Sequence, residues 1–172
     1  MTQEEKNILL KDLCTRLPYG VTGVVPVEMF NGNYDIIDGS AEYDTMNLKV
    51  RLEGINADTG DIEVVNTDDR YSMYDLTNDY FTVEDFTPYL RPMSSMTEEE
   101  KIELKTITKG AIQTIGLEDI VVTTDEGFDW LNAHHFDYRG LIEKGLAMEK
   151  VVLDDEQCES ALKMWNEPLS LK

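Results

Sequence analysis

An alternation of apolar and polar side chains from Met46 to Glu53 is the feature that most constrains the fold. Three aliphatic residues alternate with three charged ones, namely Leu48, Val50 and Leu52 with Lys49, Arg51 and Glu53. Successive side chains of a β-strand point to opposite faces of the sheet. The pattern therefore predicts a strand with one face in the core and the other in water.

Shorter segments on both sides of this strand predict an antiparallel sheet. Val21–Phe30 is rich in β-branched and aromatic residues, and Pro26 within it indicates an edge position or a bulge. Asn31-Gly32-Asn33 and Ala57–Gly60 are typical of tight turns. The remaining candidate strands are Ile62–Val65 and, more weakly, Tyr71–Leu76 and Phe81–Val83. Closely spaced short strands without helical periodicity predict a small antiparallel meander or barrel.

Helices are predicted before and after the sheet. Thr2 and Glu5 have capping-box spacing, and Pro18 ends the helix that follows. Its predicted apolar stripe is Leu10, Leu13, Cys14 and Leu17. Thr97 and Glu100 repeat the box after Pro88–Ser95, a segment typical of an extended linker. This second helix has an apolar side of Ile102, Leu104, Ile107 and Ala111, and Gly110 or Gly116 ends it.

Three further helical segments complete the predicted C-terminal part of the chain. They are Asp125–His135, Leu141–Met148 and a last helix that Asp154 and Gln157 cap, with Cys158, Ala161, Leu162 and Trp165 on its apolar side. The sequence thus predicts an α+β protein. Residues 1–92 would hold the first helix and the antiparallel β-domain, and residues 93–172 a helical tail packed on it or extending from it.

The formal net charge is −20 over 172 residues, and residues 28–85 hold 15 acidic but only 3 basic residues. Proteins bind nucleic acids and anionic membranes through Lys and Arg, so neither is an expected partner. An acidic surface is most often simply a solvated face. The sharper alternative is a nucleic-acid mimic, whose carboxylates replace phosphates on the basic surface of a DNA-binding or defence protein.

The cysteine pattern and the hydropathy both favour a cytoplasmic protein. Cys14 and Cys158 form no CxxC or zinc-type spacing, and both are expected to be reduced, buried thiols on helices. No apolar run approaches the length of a membrane span, and the first residues lack a signal-peptide pattern.

Both histidines of the chain, His134 and His135, lie in the aromatic segment from Phe128 to Leu141. A metal-dependent hydrolase centred on this pair is the least favoured function, because adjacent side chains point in different directions and cannot easily share one ion. The partners of an HExxH motif or of a cysteine pair are absent from the sequence. Nucleophile motifs and Gly-rich phosphate loops are absent too, so neither a cofactor nor a catalytic residue is predicted.

Three sequence blocks together resemble a known family. They are LPYG at 17–20, PYLRPMSSMTEEE at 88–100 and FDWLNAHHFDYRGLIEKGLA at 128–147. In this order they resemble small proteins, without an established activity, from gut anaerobic bacteria and their phages and prophages. The resemblance implies a phage or mobile-element setting and no catalytic residue. The chain departs from the family pattern after Ala147 and in its unusually acidic strand region.

The leading functional hypothesis is a non-enzymatic accessory protein that binds another protein. Trp, Tyr and Arg are frequent at energetic hot spots of interfaces, so the third block is a candidate interaction surface. Its residues are Trp130, His134, His135, Tyr138 and Arg139. The competing interpretation is that Phe128, Trp130, Phe136 and Tyr138 pack the tail against the β-domain.

Overall fold

A computed structural model describes residues 1–34, 39–76, 79–108, 112–115 and 119–150. Helices and strands both occur, which confirms the α+β class. The helices are α1 Gln3–Arg16, α2 Glu98–Ile107 and α3 Asp125–Ala133. The strands are β1 Thr22–Tyr34, β2 Ala41–Ile55, β3 Asp61–Asn66, β4 Phe81–Thr82, β5 Thr87–Leu90, β6 Ile112–Ile115, β7 Asp119–Val122 and β8 Met148–Glu149.

The main sheet has the strand order β4-β3-β2-β1-β5-β8. Strands β1 to β4 form the predicted antiparallel meander, whereas the barrel alternative is wrong because the sheet stays open. Strand β5 adds to the free side of β1, and β8 pairs with β5 in parallel. Gly23 permits the contact between β1 and β5, because a Cβ atom there would lie 2.4 Å from the carbonyl oxygen of Thr87.

Strand β2 confirms the alternation that the sequence predicts. Leu48, Val50 and Leu52 are at most 1% exposed, and the charged residues between them face solvent. The turn to β3 also lies where it was predicted. The amide of Gly60 donates to the carbonyl of Asn56, and the positive φ of Gly60, +82°, suits a glycine.

The predicted turn at Asn31-Gly32-Asn33 is wrong, because β1 continues through it to Tyr34. The register with β2 shifts between Phe30 and Tyr34, and Gly32 has a φ of +90°. The side chain of Asn31 accepts the amide of Asn33. Residues that tolerate positive φ therefore produce a bulge in the long hairpin instead of a chain reversal.

Helix α1 begins with the predicted capping box of Thr2 and Glu5, which is confirmed. Of the predicted apolar stripe, Leu13 is buried and Leu10 and Leu17 pack against the core, whereas the prediction for Cys14 is wrong because its thiol is exposed. The fully buried side chains of the helix are Leu9, Asp12, Leu13 and Arg16. Two of the four are charged and form an ion pair with each other, so the buried face does not coincide with the most apolar one. Leu9 and Leu13 join a core cluster with the aliphatic face of β1 and β2.

A second core cluster lies between α2, α3 and the chain after α3. The capping box of α2 is confirmed, and Leu104 is buried there with Trp130, Leu131 and Phe136. Ile102 is 65% exposed, contrary to the predicted apolar side. The sequence did not predict the hairpin of β6 and β7. Ala111, Gly110, Gly116 and the last predicted helix with Cys158 lie outside the described residues.

Two segments that were predicted to lie outside the sheet, Pro88–Ser95 and Leu141–Met148, each contribute residues to a strand. Pro88–Ser95 is not a linker, because β5 occupies its first part and a 3-10 turn at Met93–Ser95 follows. Leu141–Met148 is not a helix. The Asp137 carboxylate accepts the amides of Leu141 and Ile142, both at 2.8 Å, and so fixes a series of turns that leads into β8.

The weak strand prediction at Tyr71–Leu76 is wrong for a similar reason. The Asp68 side chain accepts the amide of Arg70 and starts a 3-10 turn at Asp69–Tyr71. The side-chain amide of Asn66 then donates to the carbonyls of Tyr71 and Tyr74. Side-chain hydrogen bonds thus replace the ladder that a strand would need. The candidate strand at Phe81–Val83 is confirmed as β4 over two residues.

Candidate functional site

The aromatic segment after Thr124 begins as helix α3 and then turns back towards the sheet. Thr124 caps the helix by accepting the amide of Gly127. The helix ends at Ala133, and His135 has a φ of +58°, a left-handed conformation that is uncommon for residues other than glycine. After this reversal Phe136 pairs with Arg91: the Arg91 amide donates to the His135 carbonyl and the Asp137 amide to the Arg91 carbonyl.

The aromatic rings of this segment divide into a buried and a partly exposed group. Trp130 is 7% exposed and Phe136 is fully buried, and their rings stack with centroids 5.7 Å apart. The His134 ring lies on Trp130 at 3.9 Å, and its Nδ1 is 2.9 Å from the Trp130 carbonyl oxygen. Phe128 and Tyr138 form an outer pair at 5.4 Å. Trp130 therefore packs in the core, and the predicted interaction surface has Tyr138 and Arg139 at its accessible side.

His135 is held as a neutral imidazole. Burial lowers its pKa to about 4, and the positive charges of Lys150, Arg16 and His134 act in the same direction. Its Nδ1 is buried without a hydrogen-bond partner among the described residues. The group therefore has neither the basicity of a general base near neutral pH nor a polar contact that would orient it as one.

His135→Asn should flatten the pH dependence of stability between pH 6.5 and 4. In wild type the unfolded state binds the proton at pH 6.5 and the folded state only at about 4, so the free energy of unfolding falls as the pH falls through this window. Across this window the free energy of unfolding of the wild type should fall by about 1–2 kcal/mol. This is less than the full pKa shift would give, because the imidazole is partly exposed to solvent. Asparagine tolerates the left-handed backbone. Urea unfolding at several pH values measures the slope, and an unchanged slope in the variant would contradict the assignment.

No group of three or more His, Cys, Asp or Glu side chains in the described part of the chain is placed to hold a metal ion. The two histidines diverge, since the ring of His134 lies on Trp130 and His135 is close to Arg16 and Lys150. Asp137, which could have converged with them, is used by two backbone amides instead.

A buried charge cluster, which was not predicted from the sequence, connects α1 to this segment. The Arg16 guanidinium donates to Asp12 at 2.6 and 3.2 Å and to the Phe136 carbonyl at 2.8 Å, and Asp12 and Arg16 are fully buried. The Nε of Arg139 also donates to Asp12, at 3.0 Å, to the Oδ1 atom that accepts the longer of the two Arg16 bonds. The Tyr138 ring lies near both guanidinium groups. One carboxylate therefore joins two cations from opposite ends of the chain.

The three sequence blocks of the family resemblance meet around this cluster. In the second block, Arg91 forms a bidentate ion pair with Glu100 at 2.7 and 2.9 Å, and its guanidinium carbon lies 4.2 Å from the centre of the Phe136 ring. The Arg91 guanidinium lowers the pKa of Glu100. In the first block, Tyr19 interacts with Asp129; burial and this carboxylate raise the pKa of Tyr19. The blocks thus form one contiguous structural unit.

A cleft of about 620 Å³ opens between α1 and α3 beside the charge cluster. One wall carries Lys11 and Cys14 of α1 and Pro18 of the turn that follows it, and the α3 wall carries Asp125, Asp129 and Asn132. Tyr138 and Arg139 also line it. Both walls use residues at helical spacing, so each helix presents one continuous side. This volume lies in the range of small-ligand sites, about 300 to 1,000 Å³.

The long hairpin of β1 and β2 forms a second candidate site, the distal hairpin, defined here as residues 25–34 and 41–48. Within the described ranges no third strand pairs with either part of it. Phe30 and Tyr43 lie directly opposite each other, with ring centroids 6.0 Å apart, and are 52% and 57% exposed. Glu28 is exposed on the same face as this aromatic pair, and the exposed Glu42 and Asp44 flank Tyr43 on the other face.

No protein-family model, curated protein or solved structure matches the chain. Function is therefore inferred from the geometry and chemistry of the two sites themselves. Among the described helices, none has the length and apolar character required to cross a bilayer.

Proposed function

We propose that the protein acts by binding another protein through the distal hairpin, without catalysis. The observation that supports this most directly is the exposed cross-strand pair of Phe30 and Tyr43. Aromatic side chains with large exposed areas dominate the binding energy of many interfaces. Single exposed apolar residues are normal on a surface, but two rings in edge-to-face contact on one hairpin offer one contiguous contact.

The charge around the hairpin supports a partner with a basic surface. The sequence from 17 to 48 contains five acidic residues and neither Lys nor Arg. Three of them, Glu28, Glu42 and Asp44, are described and exposed; Glu28 lies on the same face as the rings, and Glu42 and Asp44 flank Tyr43 on the other face of the hairpin. The complementary surface is an apolar pocket bordered by Lys and Arg. Charge complementarity of this kind accelerates encounter and suppresses wrong partners, while the buried rings supply most of the affinity.

The backbone of the hairpin offers a further contact. Its unpaired edges present amide and carbonyl groups to which a strand of the partner can add. A two-stranded hairpin alone is only marginally stable. Met29 and Met46 pack its inner side against the main core, which keeps the outer face presented. The family resemblance adds a setting to the proposal, a phage or prophage accessory protein in the cytosol of the host cell.

The double variant Phe30→Ala/Tyr43→Ala should lose its partner and keep its fold. In affinity capture from host-cell lysate, quantified by mass spectrometry, the specific partner should fall at least about tenfold, which is the cost expected from removing hot-spot rings. The melting temperature should change by only a few degrees, because both rings are largely exposed. The matched control is Met73→Ala/Tyr80→Ala, which removes two side chains that are 94% and 71% exposed elsewhere.

The salt dependence of the same capture separates this proposal from a nucleic-acid mimic. An interface based on the two rings should retain most of its affinity at high ionic strength, whereas a complex based on carboxylates alone should weaken steeply. Partner retention by the double variant, combined with steep loss in salt, would overturn the proposal in favour of the mimic. Equal loss of the partner in the control variant would overturn the assignment to the hairpin.

A further inference from the structure

The cleft between α1 and α3 contains a polar group that the protein leaves unused. Asn132 is only 3% exposed, and its Oδ1 accepts the Tyr138 hydroxyl at 3.0 Å. Its Nδ2 has no hydrogen-bond partner among the described residues, although the side chain lines the cleft. This nitrogen is not among the buried side-chain atoms that lack a partner, so it is accessible from the cleft, which its residue lines. It can therefore donate a hydrogen bond to an acceptor atom of a bound molecule.

The two ends of the cleft carry opposite charge. Lys11 and Arg139 lie at one end, because Arg139 bonds to Asp12, the neighbour of Lys11 in the sequence. Asp129 lies at the other end, where it contacts Tyr19 just beyond the C-terminus of α1. Lys11 lies on α1 and Pro18 in the 3-10 turn that directly follows it, so the two residues are about 10 Å apart along the helix axis. A bound molecule thus meets cations and carboxylates separated by roughly that distance.

We propose that this cleft binds a short peptide with free termini, about three residues long. Three extended residues span about 10 Å, which matches the separation of the charged ends. The peptide carboxylate faces Lys11 and Arg139, and its ammonium group faces Asp125 and Asp129. A carbonyl oxygen of the peptide accepts a hydrogen bond from Nδ2 of Asn132. The side chain of the middle residue packs against Phe128 and Pro18, which form the apolar part of the cleft wall.

The contacts already made inside the cleft favour a peptide over a simple anion. Arg139 is positioned by Asp12 and by the Tyr138 hydroxyl, at 3.0 and 3.2 Å, so its guanidinium is partly neutralised before any ligand binds. An anion alone would also face the carboxylates of the opposite end. A zwitterion meets a complementary charge at each end, and charge-assisted hydrogen bonds there fix its direction.

The tripeptide alanyl-leucyl-alanine is the probe, compared with its N-acetylated form and its C-terminal amide. We expect binding by calorimetry, weakened about tenfold or more when either terminus is blocked, because each block removes a charged hydrogen-bonding group. Lys11→Met should weaken the free tripeptide by a similar factor and leave the affinity of the amide unchanged. Lys105→Met, on α2, is the matched control and should have no effect.

A second readout uses the exposed thiol of Cys14 in the same cleft. In a Cys158→Ser variant Cys14 is the only thiol of the chain. The tripeptide should slow its modification by a maleimide in proportion to the occupancy measured by calorimetry. The proposal is overturned if the three forms of the peptide bind equally, if none of them binds, or if binding leaves the labelling rate of Cys14 unchanged.

Discussion

Replacing Asp12 by alanine should lower the free energy of unfolding by about 3–5 kcal/mol, because it leaves the buried Arg16 guanidinium without its counter-ion. Arg16 would keep only the Phe136 carbonyl as an acceptor, and its Nη1 already lacks a partner among the described residues. Arg139 would lose the same carboxylate. Urea unfolding of the variant measures the loss.

The matched control is the ion pair of Arg51 and Glu53 on the solvent face of β2. Its N–O distance is 2.6 Å, the same as for Arg16 and Asp12, but both side chains are about half exposed. Glu53→Ala should therefore change stability by less than about 1 kcal/mol. Replacing the buried pair together, as Asp12→Leu with Arg16→Met, should recover most of the loss, since the fully buried guanidinium is removed with its counter-ion and the remaining cation, Arg139, is partly exposed to solvent. Equal effects of Asp12→Ala and Glu53→Ala would contradict the account.

The elements that the sequence predicted correctly are those specified by local signals. The strand around Leu48 and Val50 follows from alternation alone, and both capping boxes follow from a Thr and a Glu three residues apart. The hairpin turn ending at Gly60 also depends only on neighbouring residues. Such signals need no knowledge of the rest of the chain.

The elements that the sequence did not predict depend on contacts between distant residues. Asp12 meets Arg139 across 127 positions, so nothing near Asp12 in the sequence showed that the polar side of α1 would be buried. Strand β5 contains Pro88 and was expected to be a linker. It is a strand because Gly23 lets it approach β1 and because β8 pairs with its other side.

The cleft and the distal hairpin could not be predicted from the sequence for related reasons. The cleft combines a wall from α1 with a wall from α3, which are more than 100 residues apart in the chain. The distal hairpin was obscured by Asn31-Gly32-Asn33, whose composition indicates a chain reversal. A turn at those residues would have placed Tyr43 outside the hairpin. Only the register that the bulge allows brings Phe30 opposite Tyr43.

The aromatic segment from Phe128 to Leu141 was the first functional candidate in the sequence. Because Phe136 in this segment is buried, its substitution is the second change with a large expected effect on stability. Phe136→Ala should lower the free energy of unfolding by about 3–5 kcal/mol, the usual cost of truncating a fully buried phenylalanine. The substitution would remove the ring that stacks on Trp130 and that also lies against the Arg91 guanidinium. It would thus loosen the junction where the three sequence blocks meet.

Phe128→Ala is the control, because this ring belongs to the same segment but is 36% exposed and should cost about 1 kcal/mol or less. Phe136→Leu should lie between the two, since it keeps part of the buried volume. Thermal and urea unfolding of the three variants give the order. If Phe128→Ala lowered the free energy of unfolding more than Phe136→Ala, the outer rings would be the main packing contact of the segment. We expect the reverse order, because Phe136 is the residue that packs α3 and the cleft wall against β5.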